Sequence, residues 1–360
     1  MRPIGTMARE AASSLFPGYF AMVMATGVIA IQANKLGFAG AAKTLVIVGA
    51  ITYLILWALT IARIAVFGRK IVSDFRSFAK GPAFFTTSAA TTVLAKALLL
   101  ILNQTLLAQA LWIFAWCIWG FLMYAFALNL FTSADKPSLQ QSISGVWLII
   151  PVATQSLSIL TGMLSPFFPN HALLMLVSLS LYMLGCALYL IVIAAVIYRL
   201  AFSPLEPQDL KPAYWVCMGA AAISTLAGVE LCKRVDIWPL PFEPLPALQG
   251  FAMFFWVVAT AWIPLLMGLG LWRHIVRKVP FVYEPQYWSM IFPLAMYAIC
   301  TGGISEIFRL TALGSISLTF LCIAAAGWSL ALIGLLKGIV IYAVPARSQA
   351  APETQQGIVQ

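Results

Sequence analysis

The sequence predicts an all-α integral membrane protein with ten transmembrane helices, and three observations carry that prediction. Hydrophobic residues make up 62% of the chain and charged residues only 9%, too little charge to cover a soluble surface. Apolar runs follow one another from about Leu15 to Ala343, each long enough to supply the roughly 20 helical residues that a hydrocarbon core of about 30 Å requires. The basic residues fall in the short segments between those runs, as residues that fix topology do.

The spans read, in order, 15–34, 44–67, 83–103, 106–131, 143–165, 171–200, 212–231, 246–272, 285–308 and 313–342. They give one transport domain over 15–342 with an N-terminal tail of 1–14 and a C-terminal tail of 343–360. Arg2 and Arg9 precede the first apolar run in the manner of a secretion signal. The run continues from Phe16 to Ile31 without a small-residue cleavage site, so a retained first span is expected. An even number of spans puts both ends on one side. That side collects fifteen Lys or Arg, including Arg63, Arg69, Lys70, Arg199, Arg273 and Arg347, against five on the other (Lys35, Lys43, Lys233, Arg234 and Arg309). The positive-inside rule then places both termini in the cytoplasm of a cell-membrane (inner-membrane) protein. Turns on the outside are short and cytoplasmic ones longer and basic, which reads as five hairpins.

Other function classes find little support. A formal charge of +10 raises nucleic acid as a partner, but the basic residues sit in loops between spans, where they meet anionic headgroups. No nucleic-acid partner is expected. The six cysteines lie in or beside apolar runs without CxxC spacing, and the two histidines, His171 and His274, are far apart. No metal, cofactor or disulfide framework is expected. No HExxH, GxSxG or phosphate-binding glycine loop is present, so an enzyme is not expected.

Polar groups inside a bilayer are costly, and their placement points to a pathway. They concentrate in the odd spans. Ser88, Thr92 and Lys96 recur at helical spacing in the third, Thr154 and Ser158 lie in the fifth, and Ser224 lies in the seventh. For any single hydroxyl, bonding back to its own helix or gluing two helices is the competing reading. Lys96 lies about two-thirds of the way through its span, where its ammonium either faces a water-filled path or snorkels to the headgroups. Glu230 stands beside Lys233 and Arg234 at the end of span seven. Glu306 stands three residues before Arg309 at the end of span nine. Each Glu is a candidate coupling carboxylate, with structural ion pairing (Glu306 to Arg309 at i, i+3) as the simpler alternative. Pro151 and Pro293 fall inside odd spans and predict kinks.

Phe16-Pro17-Gly18-Tyr19-Phe20 followed by Ala25-Thr26-Gly27, Gly145-Val146-Trp147 with Pro151, and Trp288-Ser289-Met290-Ile291-Phe292-Pro293 together resemble the tellurite-resistance/C4-dicarboxylate transporter family. That family includes TehA, plant slow anion channels, and fungal malate permeases and sulfite exporters. The resemblance implies five hairpins around a pseudo-five-fold central pore, odd helices lining it, a homotrimer, and a phenylalanine gate at Phe292. Without it, Phe292 reads as core packing beside a proline. The candidate lining set is Phe20, Thr26, Ser88, Thr92, Lys96, Thr154, Ser158 and Ser224. The expected function is passage of a small inorganic or organic anion through the bilayer, either by a gated channel or by a proton-coupled carrier for C4-dicarboxylates or sulfite-like oxyanions. A membrane enzyme or receptor is the third class.

Overall fold

A computed structural model describes residues 4–237 and 243–343; Arg2, Arg347 and most of the 343–360 tail lie outside them. Every regular element among the described residues is helical. In chain order they are α1 (Ile4–Ser14), α2 (Ala21–Lys35), α3 (Ala39–Arg76), α4 (Thr86–Leu102), α5 (Thr105–Thr132), the single turn α6 (Leu139–Ser142), α7 (Ile149–Leu164), α8 (His171–Phe202), α9 (Val216–Cys232), α10 (Leu245–Leu271), α11 (Trp288–Phe308) and α12 (Leu313–Ala343). Nine helical segments among the described residues are long and apolar enough to cross a membrane. The run expected at 15–34 is the exception, a 15-residue α2 entered through a 3-10 turn at Pro17–Phe20. Thirteen of the residues of α2 are buried against protein, so hydropathy alone understates it. A helix wrapped by other helices does not have to be as apolar as one facing lipid.

Two kinds of helix alternate. All sixteen residues of α7 are buried, as are most of α2, α4, α9 and α11. By contrast α3, α5, α8, α10 and α12 expose large apolar side chains such as Ile61, Phe121, Ile191, Met267 and Leu330, the surface a lipid-facing helix presents. The buried helices touch in a closed cycle: α2 on α4, α4 on α7, α7 on α9, α9 on α11, and α11 back on α2. Each exposed helix packs outside that cycle.

All five buried helices begin with a 3-10 turn, at Pro17–Phe20, Gly81–Phe85, Gly145–Leu148, Pro212–Trp215 and Pro285–Tyr287. Four of the turns carry proline in their first two positions, where a missing N–H costs nothing. Pro151 is the third residue of α7. It therefore lies in the first turn, whose N–H groups have no helical partner, and removes no helical hydrogen bond. Of the two, only Pro293 sits inside its helix, α11, where it denies the Ser289 carbonyl its i+4 donor. The backbone of α3 breaks at Phe67 (φ −123°, ψ 34°), where the apolar run ends. Its second arm carries Arg69, Lys70, Asp74 and Arg76.

Three arginines staple the entry ends of the buried helices. Arg63 of α3 donates to the Leu15 carbonyl at 2.8 Å and to Asp74 at 2.6 Å. Arg199 of α8 donates to the Gln140 carbonyl at 3.0 Å, to the Tyr214 hydroxyl, and to Asp209 at 3.3 Å. Arg273, just past α10, donates to the Leu210 carbonyl at 2.5 Å and lies 3.7 Å from Glu284. Each arginine thus grips the chain entering the buried helix of its own hairpin, and a carboxylate ten or eleven residues on that leads into the next. Removing one partner of such a pair strands the other in a poorly solvated place. We expect Arg199→Ala to destabilise the protein by about 3 kcal/mol. Lys136→Ala, on an exposed loop, should stay within about 0.5 kcal/mol. Reversible unfolding in detergent checks both, and equal effects of the two would contradict the staple.

Candidate functional site

Two small cavities lie along the centre of the helix cycle, and each is lined by all five buried helices. The first, nearer the entry turns, takes Gly18, Ala83, Val146, Ala213 and Gln286, with Thr86, Ile149, Val216 and Ser289 three residues further along four of the helices. The second takes Val28 and Ile31 from α2, Val93 and Lys96 from α4, Ser156 and Ile159 from α7, Ile223 and Leu226 from α9, and Met296 and Ile299 from α11, with Thr92 beside them. The numbering shows a repeat. Adding seven and ten to Thr86, Ile149, Val216 and Ser289 reproduces the second set on each of those four helices, and Ala21 does the same on α2. One register therefore describes all five, and the two layers stand about 10 Å apart at 1.5 Å per residue.

Between the layers that register places Met24-Ala25, Ala89-Ala90, Val152-Ala153, Gly219-Ala220 and Phe292-Pro293. Phe292 is the one aromatic ring of the level, and it is 1% exposed. Its neighbours are small for a physical reason. A Cβ on Gly219 would stand 2.6 Å from the Pro293 ring, so only glycine lets α9 approach the proline of α11 at this height. The cavities themselves are narrow, about 20 Å³ and 10 Å³ open to water-sized spheres. That is on the order of one water each.

The polar groups of the wider cavity are few. Lys96 is 6% exposed at the level of Ile31, Ile159, Leu226 and Ile299. Its Nζ lies 3.3 Å from Glu230 Oε1, and Arg234 holds the other oxygen of Glu230 at 2.6 Å. The side chain is therefore ion-paired inside the helix cycle and does not snorkel. Ser156 Oγ is buried without a hydrogen-bond partner among the described residues. Glu306, at the C-terminal end of α11, pairs with Lys35 and with Lys233 at 2.5 Å. Its ion pairs run across helices, not along its own to Arg309. Lys96, Glu230, Arg234, Lys35, Glu306 and Lys233 together carry a net charge of +2.

Of the eight lining residues expected from sequence, Thr92 and Lys96 line a cavity. The others turn elsewhere. Phe20 packs edge-on against Tyr53 and Trp57 of α3. Ser88 donates to the Ala115 carbonyl of α5, and Ser158 to the Ser178 carbonyl of α8. Ser224 accepts from Gln155. Thr26 accepts from Trp328 Nε1 at 2.8 Å and Thr154 from Trp119 Nε1 at 3.0 Å. The same fastening joins Thr161 to Trp112, Thr301 to Trp256, and Thr91 to Tyr53. Every one of these threonine pairs runs to the exposed helix that precedes it in cyclic order, α12 preceding α2. The hydroxyls that crowd the buried helices mostly hold them to their surroundings. Met296 and Ile299 share a face with Phe292 that is readable in the ninth span, but Ser156 and the apolar lining of α2, α4, α7 and α9 were missed because such residues at i, i+3 are indistinguishable from core until all five helices are superposed.

A family model described as a voltage-dependent anion channel, SLAC1, matches residues 14–336. The chain belongs to this family. Among related proteins, an uncharacterized membrane protein of Mycobacterium tuberculosis is 35% identical over 149 residues, 41% of this chain and 75% of that protein. An uncharacterized transporter of Methanocaldococcus jannaschii is 23% identical over 258 residues, 71% of this chain and 72% of its own length. A second transporter of that organism is 24% identical over 189 residues, 52% of this chain and 53% of its own length. This SLAC1 family member is thus a multi-pass membrane protein of the channel and transporter type, and the family is not one of enzymes. If the threonines are fasteners, Thr154→Val should cost about 1–2 kcal/mol by stranding the Trp119 N–H. Unfolding in detergent measures it, and a neutral Thr154→Val would contradict that role.

Proposed function

We propose that this protein conducts small anions across the cell (inner) membrane through the centre of the helix cycle, and that Phe292 closes the path. The observation that carries this reading is the pair of cavities in one five-helix register with the Phe292 ring at the level between them. In this reading the ten spans form five hairpins around a pseudo-five-fold axis. The transport domain covers 15–342, and the tails 1–14 and 343–360 lie in the cytoplasm with the basic entry loops. The family resemblance supports a homotrimer with one path per subunit.

The walls suit an anion that sheds water easily. Most lining groups are apolar, so entry is limited by dehydration, and a narrow apolar constriction closes by excluding water. The Lys96 ammonium and the Ser156 hydroxyl are the groups able to replace lost hydration. Glu230 holds Lys96 in the closed state, and an arriving anion competes with that carboxylate for the ammonium. Larger, weakly hydrated anions such as nitrate should pass better than chloride, whereas tellurite is poorly supported as the substrate. Removing the Phe292 ring joins the two cavities. Phe292→Ala is expected to raise anion current at least about tenfold, equivalent to lowering the barrier by about 1.4 kcal/mol, in planar bilayers under a nitrate gradient. Equal, silent behaviour of the inserted wild type and Phe292→Ala would overturn the gate.

The 3.3 Å contact between Lys96 and Glu230 also favours a second reading, a proton-coupled carrier for a C4-dicarboxylate or sulfite-like oxyanion. Protonating Glu230 would free Lys96 for substrate, with Glu306 as a second coupling candidate at the mouth. In that case malate or sulfite uptake into vesicles follows an imposed pH gradient, and Glu230→Gln makes uptake independent of it. Uptake that ignores the gradient in the wild type leaves the channel reading.

A further inference from the structure

The break in α3 at Phe67 opens a pocket that the anion pathway does not use. It lies between the two arms of α3, the end of α1 and the turn into α4, with a volume of about 530 Å³. Four cations line it, Arg63, Arg69, Lys70 and Lys80, together with one carboxylate, Asp74. The lining also holds the serines Ser13, Ser14 and Ser73.

The charge is in surplus of what the staple needs. Asp74 is already shared by Arg63 at 2.6 Å and Lys80 at 2.9 Å. Among the described residues Lys70 reaches the Ser13 hydroxyl, at 2.9 Å, with the Phe67 ring 5.3 Å below it. Arg63 is 4% exposed, and its Nε has no hydrogen-bond partner among the described residues. The corresponding staple at Arg199 differs. There Arg199 pairs with Asp209 at 3.3 Å, and the linker 203–211 carries Glu206, Asp209 and Lys211, so the formal charges with Arg199 sum to zero. A concave site with a net charge of +3, arginine donors and serine hydroxyls is the chemistry that recognises phosphate oxygens.

We propose that the α3 elbow binds a phosphate group. Two sources share that chemistry, the headgroup of an anionic phospholipid and free inorganic phosphate. The pocket lies at the entry end of the buried helices, where the positive loops gather and where anionic headgroups concentrate cations by their surface potential. A phosphate seated there bridges Arg69 and Lys70 to the serines that end α1. It also stands beside Phe16, which lines both this pocket and the smaller central cavity.

The test uses the full-length protein in detergent, comparing wild type with the double variant Arg69→Gln/Lys70→Gln. Both residues are exposed and outside the Arg63–Asp74 pair, so the fold should persist. Thermal stabilisation is followed against inorganic phosphate, short-chain phosphatidylglycerol and short-chain phosphatidylcholine. Wild type should be stabilised by phosphatidylglycerol or by phosphate, and the double variant should require at least about tenfold more of the same probe. Dependence on phosphatidylglycerol alone identifies a lipid headgroup, and dependence on inorganic phosphate identifies a soluble source. Stabilisation that is equal in both proteins, or equal for phosphatidylcholine and phosphatidylglycerol, would overturn the site. Arg69→Lys, which keeps the charge and lies outside the Arg63–Asp74 pair while losing the guanidinium fork, guards against a folding artefact: it should bind more weakly than wild type at unchanged ligand-free stability.

Discussion

Five almost wholly buried helices must be held side by side without the hydrophobic effect to press them together. Lipid chains are as apolar as the helix faces, so helix association in a bilayer rests on packing and on interhelical hydrogen bonds. This chain meets the constraint with two devices. Threonine hydroxyls on the buried helices receive indole N–H or phenol groups from the surrounding helices, as in Thr26 with Trp328 and Thr154 with Trp119. Arginines just before the break in α3, at the end of α8 and just past α10 grip the backbone and carboxylates of the entry loops. Polarity is thereby spent on the outer side of the cycle, and the axis is left almost entirely apolar.

On the proposed reading, that division lets a pathway and a seal coexist. At the level of Phe292 the other four helices offer only Met, Val, Ala and Gly, and the closeness of Gly219 to Pro293 keeps α9 and α11 tight there. In the proposed reading the Phe292 ring, 1% exposed, fills the space that remains. One turn away the walls recede enough for water, and Lys96 and Ser156 supply the polar contacts. Glu230 pairs with Lys96 and with Arg234, so the ammonium that lines the wider cavity has a counter-ion.

Much of the architecture was legible from the residues. The apolar runs and basic loops located most of the long helices within a few residues, because hydrocarbon thickness and backbone satisfaction leave few options, whereas α1, in the stretch read as a tail, and the second arm of α3 were not expected. The break at Phe67 coincides with the end of the second apolar run. The lining of the central cavities was less legible. Serine and threonine mark any interface where two helices must be joined, so Ser88, Thr154 and Ser158 drew attention although their hydrogen bonds run outward. The apolar residues that line the cavities carry no local mark. Only the common offset from Thr86, Ile149, Val216 and Ser289 sets Val93, Ser156, Ile223 and Met296 apart, and that offset becomes visible once the helices are aligned in space. The arginine staples were readable only as topology charges, since their carboxylate partners lie ten or eleven residues away across a turn.

The proposed gate requires that Phe292 separate two compartments on one axis. Cysteines placed at Ser289 and at Met296, one on each side of that ring, test it by reaction with a membrane-impermeant thiol reagent added to one face of oriented vesicles. The background should have Cys117 and Cys322, exposed on the outer helices, replaced by serine. With Phe292 intact, each cysteine should react from one face only, and the two from opposite faces. With Phe292→Ala, both should become reachable from either face. Both positions reacting from the same face while Phe292 is present would contradict the claim.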